Sequence, residues 1–388
     1  MKSLIILGRQ PFIGLAELES IYGHAAVKPA GTQAALLDVD TNEINFVRLG
    51  GSIKLCKLLN VLDTINWPDI ETYLGKMIPE HLQYVPEGKF KLGLSTYGLS
   101  VSPRDINATG LRLKKIIKAQ DRSVRIIPNK APALNSAQVL HNQLTTPTGW
   151  ELVLVRDEQQ TILGLTAAEQ DIDAYARRDQ NRPMRDPKVG MLPPKLAQIL
   201  INLANPATGA TVLDPFCGTG VVLQEAALMG LEIYGTDVDK RMVSYTIENL
   251  KWLNSSHGVK INGTVEQGDS TTLVWHPPID SIVSETFLGK PLTSLPPRHV
   301  LDQIMKEPDL LNEKFLQNIA RQLKKGAKLA LAVPAWKQKH RFLHLRTLDH
   351  LKDLGYTRLS FVHASYEDLI YHRPDQIVAR ELVVLEKS

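Results

Sequence analysis

Apolar and polar positions change rhythm along the chain, and the changes divide it. Residues 3–8 (SLIILG) form a short continuous apolar run that reads as a buried strand. Pro11 stands where a helix could start, and residues 12–22 place Phe12, Leu15, Ala16 and Leu18 at helical spacing. The pattern then predicts a strand over 34–39, an amphipathic helix over 51–60 and a loop around Trp67 and Pro68. Residues 89–96 alternate like a strand, 109–120 place Leu113, Ile116 and Ile117 on one helical face, and strands are expected at 123–127, 151–156 and 160–165. Residues 169–190 are polar with two prolines and read as a linker.

From residue 191 strands and helices alternate, as a parallel α/β sheet requires. Helices are expected at 194–204, 219–229, 240–254, 310–324 and near 339–354, and strands at 211–214, 232–236, 264–267, 279–284, 328–333, 357–363 and 377–385. Arg373-Pro374-Asp375-Gln376 separates residues 365–372 from 377–385 in a hairpin-like way, which predicts an antiparallel last strand on a mostly parallel, doubly wound sheet.

Composition narrows the class. Apolar residues make up 43% and charged residues 22% of the chain, the balance of a globular protein. No apolar stretch approaches a membrane span, and the N-terminal apolar run is too short for a signal-peptide core. The two cysteines, Cys56 and Cys217, have no metal or redox spacing, which points to a reduced, cytoplasmic enzyme without disulfides or a bound metal. Net charge is +4, but it is concentrated: Arg104–Lys130 holds eight basic and two acidic residues, and Arg177–Lys195 six and two. Two such runs on an otherwise acidic chain suit a polyanion such as nucleic acid.

The strongest local chemistry is VLDPFCGTG, Val212 to Gly220. A strand ends in an acid, a tight turn carries two glycines, and a helix follows at once. It is neither the GxGxxG of a dinucleotide fold nor a phosphate loop, since no Lys-Ser/Thr follows the glycines. An acidic residue at the head of the turn suits a cationic amino group. Asp237 ends the next expected strand, where a carboxylate can accept from both ribose hydroxyls. Asp269 ends the one after and can accept from an adenine amine. Three carboxylates at successive strand ends fit S-adenosylmethionine; Asp239 reads instead as a helix N-cap.

DPFCGTG, GTDVD and GDS, preceded by LPPKLAQILINLA, resemble the THUMP-containing RNA methyltransferases, most closely the branch acting on guanine at position 10 of tRNA in archaea and eukaryotes. GRQPFIGLAELESI, RLGGSIKLCKLL and YHRPDQIVARELVVLE extend the likeness. The resemblance implies a ferredoxin-like domain over 1–75, a THUMP-like RNA-binding domain over 76–168, a linker over 169–190, and a Rossmann-like class I methyltransferase domain over 191–388 with a seven-stranded sheet. It places Asp214, Phe216, Gly218 and Gly220 at the methionine end of S-adenosyl-L-methionine, Asp237 at the ribose and Asp269 at the adenine. Pro215, Thr219, Val238 and Ser270 complete the expected cofactor set.

Amino-methyltransferases of this kind carry D/N/S-P-P-Y/F at the end of the fourth strand, where polar acceptors hold a base amine and an aromatic ring stacks on the extruded base. This chain has Ser284-Glu285-Thr286-Phe287 instead. Aligned on the ring, Ser284 takes the first position; alternatively Glu285 is the acceptor in a loop one residue shorter. Glu285 as acceptor and Phe287 as stacking ring is the working assignment. Pyrimidine C5 chemistry would need a cysteine nucleophile, and Cys217 lies in the cofactor turn rather than on the fourth strand.

Arg112, Lys114, Lys115, Lys118, Arg177, Arg178 and Arg182 are the candidates for RNA backbone contacts, with tRNA the expected partner. His340 and His344 could share a helix face, but no HExxH glutamate accompanies them, and they read as surface residues. Trp150, Trp252, Trp275 and Trp336 read as core or rim. Two other functions share these features: a DNA amino-methyltransferase, and a non-catalytic RNA-binding protein on the same fold. No motif names an activating partner or an oligomeric state.

Overall fold

The computed structural model describes residues 1–186, 191–276, 278–292, 294–338, 341–373 and 376–388. The chain divides into two compact units: Met1–Leu15, Tyr22–Val47 and Gly51–Asp173 in the first, and Ala16–Ile21, Arg48–Gly50 and Ala174–Ser388 in the second.

The first unit runs β1 (Ser3–Leu7), α1 (Pro11–Tyr22, of which Ala16–Ile21 belong to the second unit), β2 (Val27–Ala30), β3 (Ala34–Leu37), β4 (Ser52–Leu62), α2 (Trp67–Leu82), β5 (Phe90–Tyr97), α3 (Pro103–Lys118), β6 (Val124–Ile126), α4 (Ser136–His141), β7 (Gly149–Asp157) and β8 (Gln160–Glu169). Its strands form one sheet in the order β2-β3-β1-β4-β8-β7-β5-β6. Strands from both sides of the expected 75/76 boundary join this sheet, and the boundary itself falls inside α2.

Residues 51–60 are a strand, not the expected helix. β4 pairs antiparallel with β1 and β8 in the middle of the sheet, and those long-range ladders override an apolar spacing that suits either element. The position that blurs the pattern is Lys54, which is buried and ion-paired to Glu151 at 2.6 Å and Glu169 at 3.0 Å. Trp67 and Pro68 open α2 instead of forming a loop, since proline is tolerated in a helix's first turn. α3 starts earlier than expected because Ser102 caps it, accepting from the Asp105 amide, while Ile106, Leu113 and Ile117 face the core.

The second unit contains α6 (Pro194–Ala204), β9 (Thr211–Asp214), α7 (Val221–Leu228), β10 (Glu232–Asp237), α8 (Lys240–His257), β11 (Gly263–Gln267), β12 (Ser281–Glu285), α9 (Arg298–Ala320), β13 (Lys328–Gln338), β14 (Arg341–Leu343), β15 (Tyr356–Arg358), β16 (Ile370–Tyr371) and β17 (Val378–Lys387). The order β11-β10-β9-β12-β13-β17-β15 is parallel from β11 to β13, and β17 lies antiparallel to β13, as expected. β14 and β16 add short antiparallel pairs to β13 and β17. Chain direction across the sheet reverses outward from β9, so the carboxyl ends of β9 and β12 flank the point where a doubly wound sheet opens a ligand crevice.

Two expectations fail here for physical reasons. The stretch read as a linker holds α5 (Ile172–Gln180), whose residues from Ala174 onward belong to the second unit. Its anchors are polar, Tyr175 to Gln198 and Arg178 to Glu225, so no apolar period announced it. The helix expected near 339–354 is β14 followed by a short 3-10 turn; His344 pairs with Asp349 at 3.2 Å, and His340 lies outside the described residues. α9 begins twelve residues before its expected start and carries Pro308 within it, the residue whose missing amide argues against a helix from sequence alone.

Candidate active site

A pocket of about 550 Å³ opens at the carboxyl ends of the second unit's strands. Its wall begins with the turn after β9. Gly218 (φ 52°) and Gly220 (φ 83°) adopt left-handed backbone that only glycine takes without strain. The turn is held from three sides: the Gly218 amide donates to Asp237 Oδ2 at 2.9 Å, Thr246 Oγ1 donates to the Gly218 carbonyl at 2.8 Å, and Asn249 Nδ2 donates to the Thr219 carbonyl at 2.8 Å. Asn249 also binds the Met184 amide and carbonyl, tying the segment before α6 to the same turn.

Most of the expected cofactor set lines this pocket: Asp214, Pro215, Phe216, Gly218, Thr219, Asp237, Val238, Asp269 and Ser270. Gly220 does not; it is the residue from which α7 springs. Asp214 is buried, its Oδ1 accepting from Ser284 Oγ at 2.6 Å and from the Phe216 amide at 3.2 Å. Burial raises its carboxyl to about 7, with the Ser284 hydrogen bond opposing the shift. Burial also raises Asp237, whose Oδ1 receives the Asp239 amide at 2.9 Å. Asp269 is lowered, chiefly by the Thr271 hydroxyl and amide. Asp239 caps α8, accepting from the Arg241 amide, as the sequence suggested.

The fourth-strand tetrapeptide departs from one of its two readings. Ser284 is fully buried, does not line the pocket and donates inward to Asp214, so it is not presented to a substrate. Glu285, Thr286 and Phe287 do line the pocket. Glu285 Oε1 is ion-paired to Arg380 Nε on β17. Thr286 Oγ1 is buried with no hydrogen-bond partner among the described residues, a polar atom that a ligand could satisfy. Phe287 is half-exposed at the pocket wall.

Sequence reasoning missed several lining residues, including Asp186, Met191, Leu192, Met242, Lys290 and Leu311. Leu192 opens the LPPKLAQ stretch already singled out and Met191 directly precedes it, so a signal existed. Arg380 also escaped notice; a buried arginine in a largely apolar terminal strand needs a buried partner, and that was the available clue.

Two of the proposed RNA-contact residues, Arg178 and Arg182, are corrected, and a third, Arg112, has an acidic neighbour. Arg112 is engaged by Glu71 and Arg178 by the buried Glu225, while Arg182 is itself buried against Asp179 and Met191. Arg178 and Arg182 spend their charge inside the protein, whereas Arg112 makes its ion pair on the exposed side of α3. Lys114, Lys115 and Lys118 lie along α3 with no ion pair among the described residues, and Arg177 is exposed on α5. Cys217 is buried in the turn, where desolvation raises its thiol well above the usual value, which suits a structural role.

Residues 182–353 match the family model described as "RMKL-like, methyltransferase domain". A tRNA (guanine(10)-N2)-dimethyltransferase of Methanothermobacter thermautotrophicus is 34% identical over 157 residues, 40% of this chain and 42% of that one. The enzyme of the same name from Pyrococcus abyssi is 34% identical over 164 residues, 41% and 43% of the two chains. The match to these curated relatives thus spans less than half of their length. TrmN from Thermus thermophilus superposes over the whole of both chains with a TM-score of 0.53 at 18% identity. SMU.472, solved in complex with SAH, aligns over 100% of this chain and 97% of its own with a TM-score of 0.52 at 12% identity. The second unit has the class I methyltransferase fold.

Proposed function

We propose that the chain is an S-adenosylmethionine-dependent RNA methyltransferase that acts on the exocyclic N2 amine of a guanine in tRNA. The observation that carries the reading is the pocket at the strand-order reversal, lined by Asp214, Asp237, Asp269 and Glu285 together. Its volume of about 550 Å³ lies within the roughly 300–1,000 Å³ usual for small-molecule sites. The names of the archaeal relatives support the choice of guanine and tRNA.

The residues present fit the cofactor. Asp214 would receive its ammonium, Asp237 its ribose hydroxyls and Asp269 its adenine amine. When bound, S-adenosylmethionine supplies an electrophilic sulfonium methyl group. Glu285 accepts from the target amine and fixes its direction of approach, and Phe287 offers its ring to the extruded base. The lone pair of such an amine is delocalised into the base, so alignment is the main thing the protein contributes. The first unit is read as a ferredoxin-like and THUMP-like module that holds the RNA, with Lys114, Lys115, Lys118 and Arg177 on phosphates.

Incubation with labelled cofactor and unmodified tRNA, followed by nucleoside mass spectrometry, tests the reading. Label in N2-methylguanosine is expected. Label in another nucleoside redirects the substrate, transfer to DNA alone favours the DNA-modifying alternative, and cofactor binding without transfer favours a non-catalytic RNA-binding protein.

A further inference from the structure

We infer that Arg380 is the positioning residue for the target base, holding Glu285 as an aimed carboxylate so that the site reads guanine's adjacent donors. The inference rests on the proposed function and names what selects the base within it.

Strand geometry brings the two residues together. Glu285 ends β12 opposite Ala332 on β13, Ala332 lies opposite Leu382 on β17, and Arg380 stands two residues from Leu382. In-register neighbours and every second residue share a sheet face, so all four project to the same side. Between the partners β13 presents only Ala332 and Pro334, and the arginine reaches diagonally across this low stretch to Glu285 Oε1. Glu381, one position on, faces the other way and pairs with Arg358 at 2.8 Å. Arg380 is therefore committed to the pocket side.

Both partners are nearly buried, with side chains 16% exposed for Glu285 and 8% for Arg380. Burial raises the Glu285 carboxyl above its ordinary value, and Arg380 offsets only part of that rise. The other charged groups lining the pocket are Asp186, Asp214, Asp237, Asp239, Asp269 and Lys290. All but the lysine are acidic, so Arg380 is the cation in contact that opposes this rise and favours the ionised form of Glu285. With Oε1 engaged, Oε2 remains for substrate. An ionised carboxylate only accepts. Guanine offers N1–H and N2–H side by side, whereas adenine sets a lone pair at N1 beside its amine and is repelled.

The test compares methyl transfer by wild type, Arg380→Met and Arg380→Lys across pH, with cofactor affinity measured for each. In Arg380→Met nothing offsets the desolvation, so the carboxyl rises further and holds its proton to higher pH. We expect turnover at pH 7 to fall at least about tenfold and to return as pH rises, the acidic limb moving up by about one pH unit or more. Arg380→Lys should sit between the two, and cofactor affinity should change less than about twofold, because the pair touches the base rather than the nucleoside. Discrimination against RNA with adenine at the target position should weaken in Arg380→Met. Should that variant fail to fold, the Arg380→Lys profile decides, and an unshifted limb overturns the inference. An equal loss at every pH, or a joint loss of cofactor binding, assigns Arg380 a purely structural role and also overturns it. A wild-type protein that transfers no methyl group overturns the functional reading first, and this inference with it.

Discussion

The Ser284 hydroxyl donates to Asp214 Oδ1 at 2.6 Å, joining the ends of β12 and β9 where the strand order reverses. The bond couples the fourth strand to the cofactor carboxylate. A hydrogen bond to a charged group contributes about 1.5–3 kcal/mol, and its loss leaves a buried carboxylate less well held. Ser284→Ala should therefore weaken S-adenosylmethionine at neutral pH by about tenfold or more. Equilibrium dialysis checks this, and an unaltered dissociation constant would remove Ser284 from the cofactor site.

Cofactor binding should strengthen as pH rises through neutrality. The buried Asp214 carboxyl is raised to about 7 in the unliganded protein, so below that value it holds a proton that a cationic ligand must displace. Between about pH 6 and pH 8 the affinity should rise roughly tenfold, flattening at the alkaline end. The ionised form is the binding form, which fixes the sign. Ser284→Ala, which lacks the bond that lowers this pKa, should need a higher pH for the same gain. A flat profile over this range would mean that Asp214 does not meet the ammonium.

Legibility from sequence followed the range of the interactions. The Asp214 turn, Asp237, Asp269 and the antiparallel last strand are local patterns, a strand end plus a glycine turn, and they were readable. β4 was misread because its identity comes from pairing with β1 and β8, which no window of the chain contains. α5 was missed because Tyr175 and Arg178 anchor it through polar groups. Ser284 and Arg380 were misjudged or overlooked because each is defined by a partner at least 70 residues away. α9 was cut short because Pro308 lacks the amide a helix interior uses, yet the helix runs through it from Arg298 to Ala320.

Lys54 is the stability centre of the first unit. Its ammonium holds the buried Glu151 and Glu169, and Ser95 and Thr166 donate to Glu151 as well. Lys54→Met leaves two buried carboxylates without a cation and should destabilise the protein by about 3–5 kcal/mol at pH 8. Burial already raises Glu169 to about 6 in the intact cluster. Without Lys54 the Glu169 carboxyl rises further in the folded state. A folded pKa above the unfolded one stabilises at low pH and is lost as pH rises, so the deficit should shrink towards about pH 5. Urea denaturation at the two pH values measures it, and a deficit that is equal at both contradicts the assignment.

The basic face of α3 should reveal itself in salt dependence. Lys114, Lys115 and Lys118 carry no ion pair among the described residues, and Leu113 and Ile117 turn the opposite face inward. Replacing all three lysines by alanine should weaken RNA binding alike for every sequence and flatten the salt slope by about two to three. Filter binding at several salt concentrations reads both effects. A slope that does not change would move the RNA surface elsewhere.

The account stands on one pocket, lined by Asp214, Asp237 and Asp269, that would hold a single nucleoside ligand. Isothermal titration of the purified chain with S-adenosylhomocysteine measures this directly. We predict one saturable site, with Asp237→Ala weakening it at least tenfold, about the loss expected when charge-assisted hydrogen bonds to two hydroxyls disappear. Folded protein that evolves no heat of binding with S-adenosylhomocysteine or S-adenosylmethionine would contradict the account.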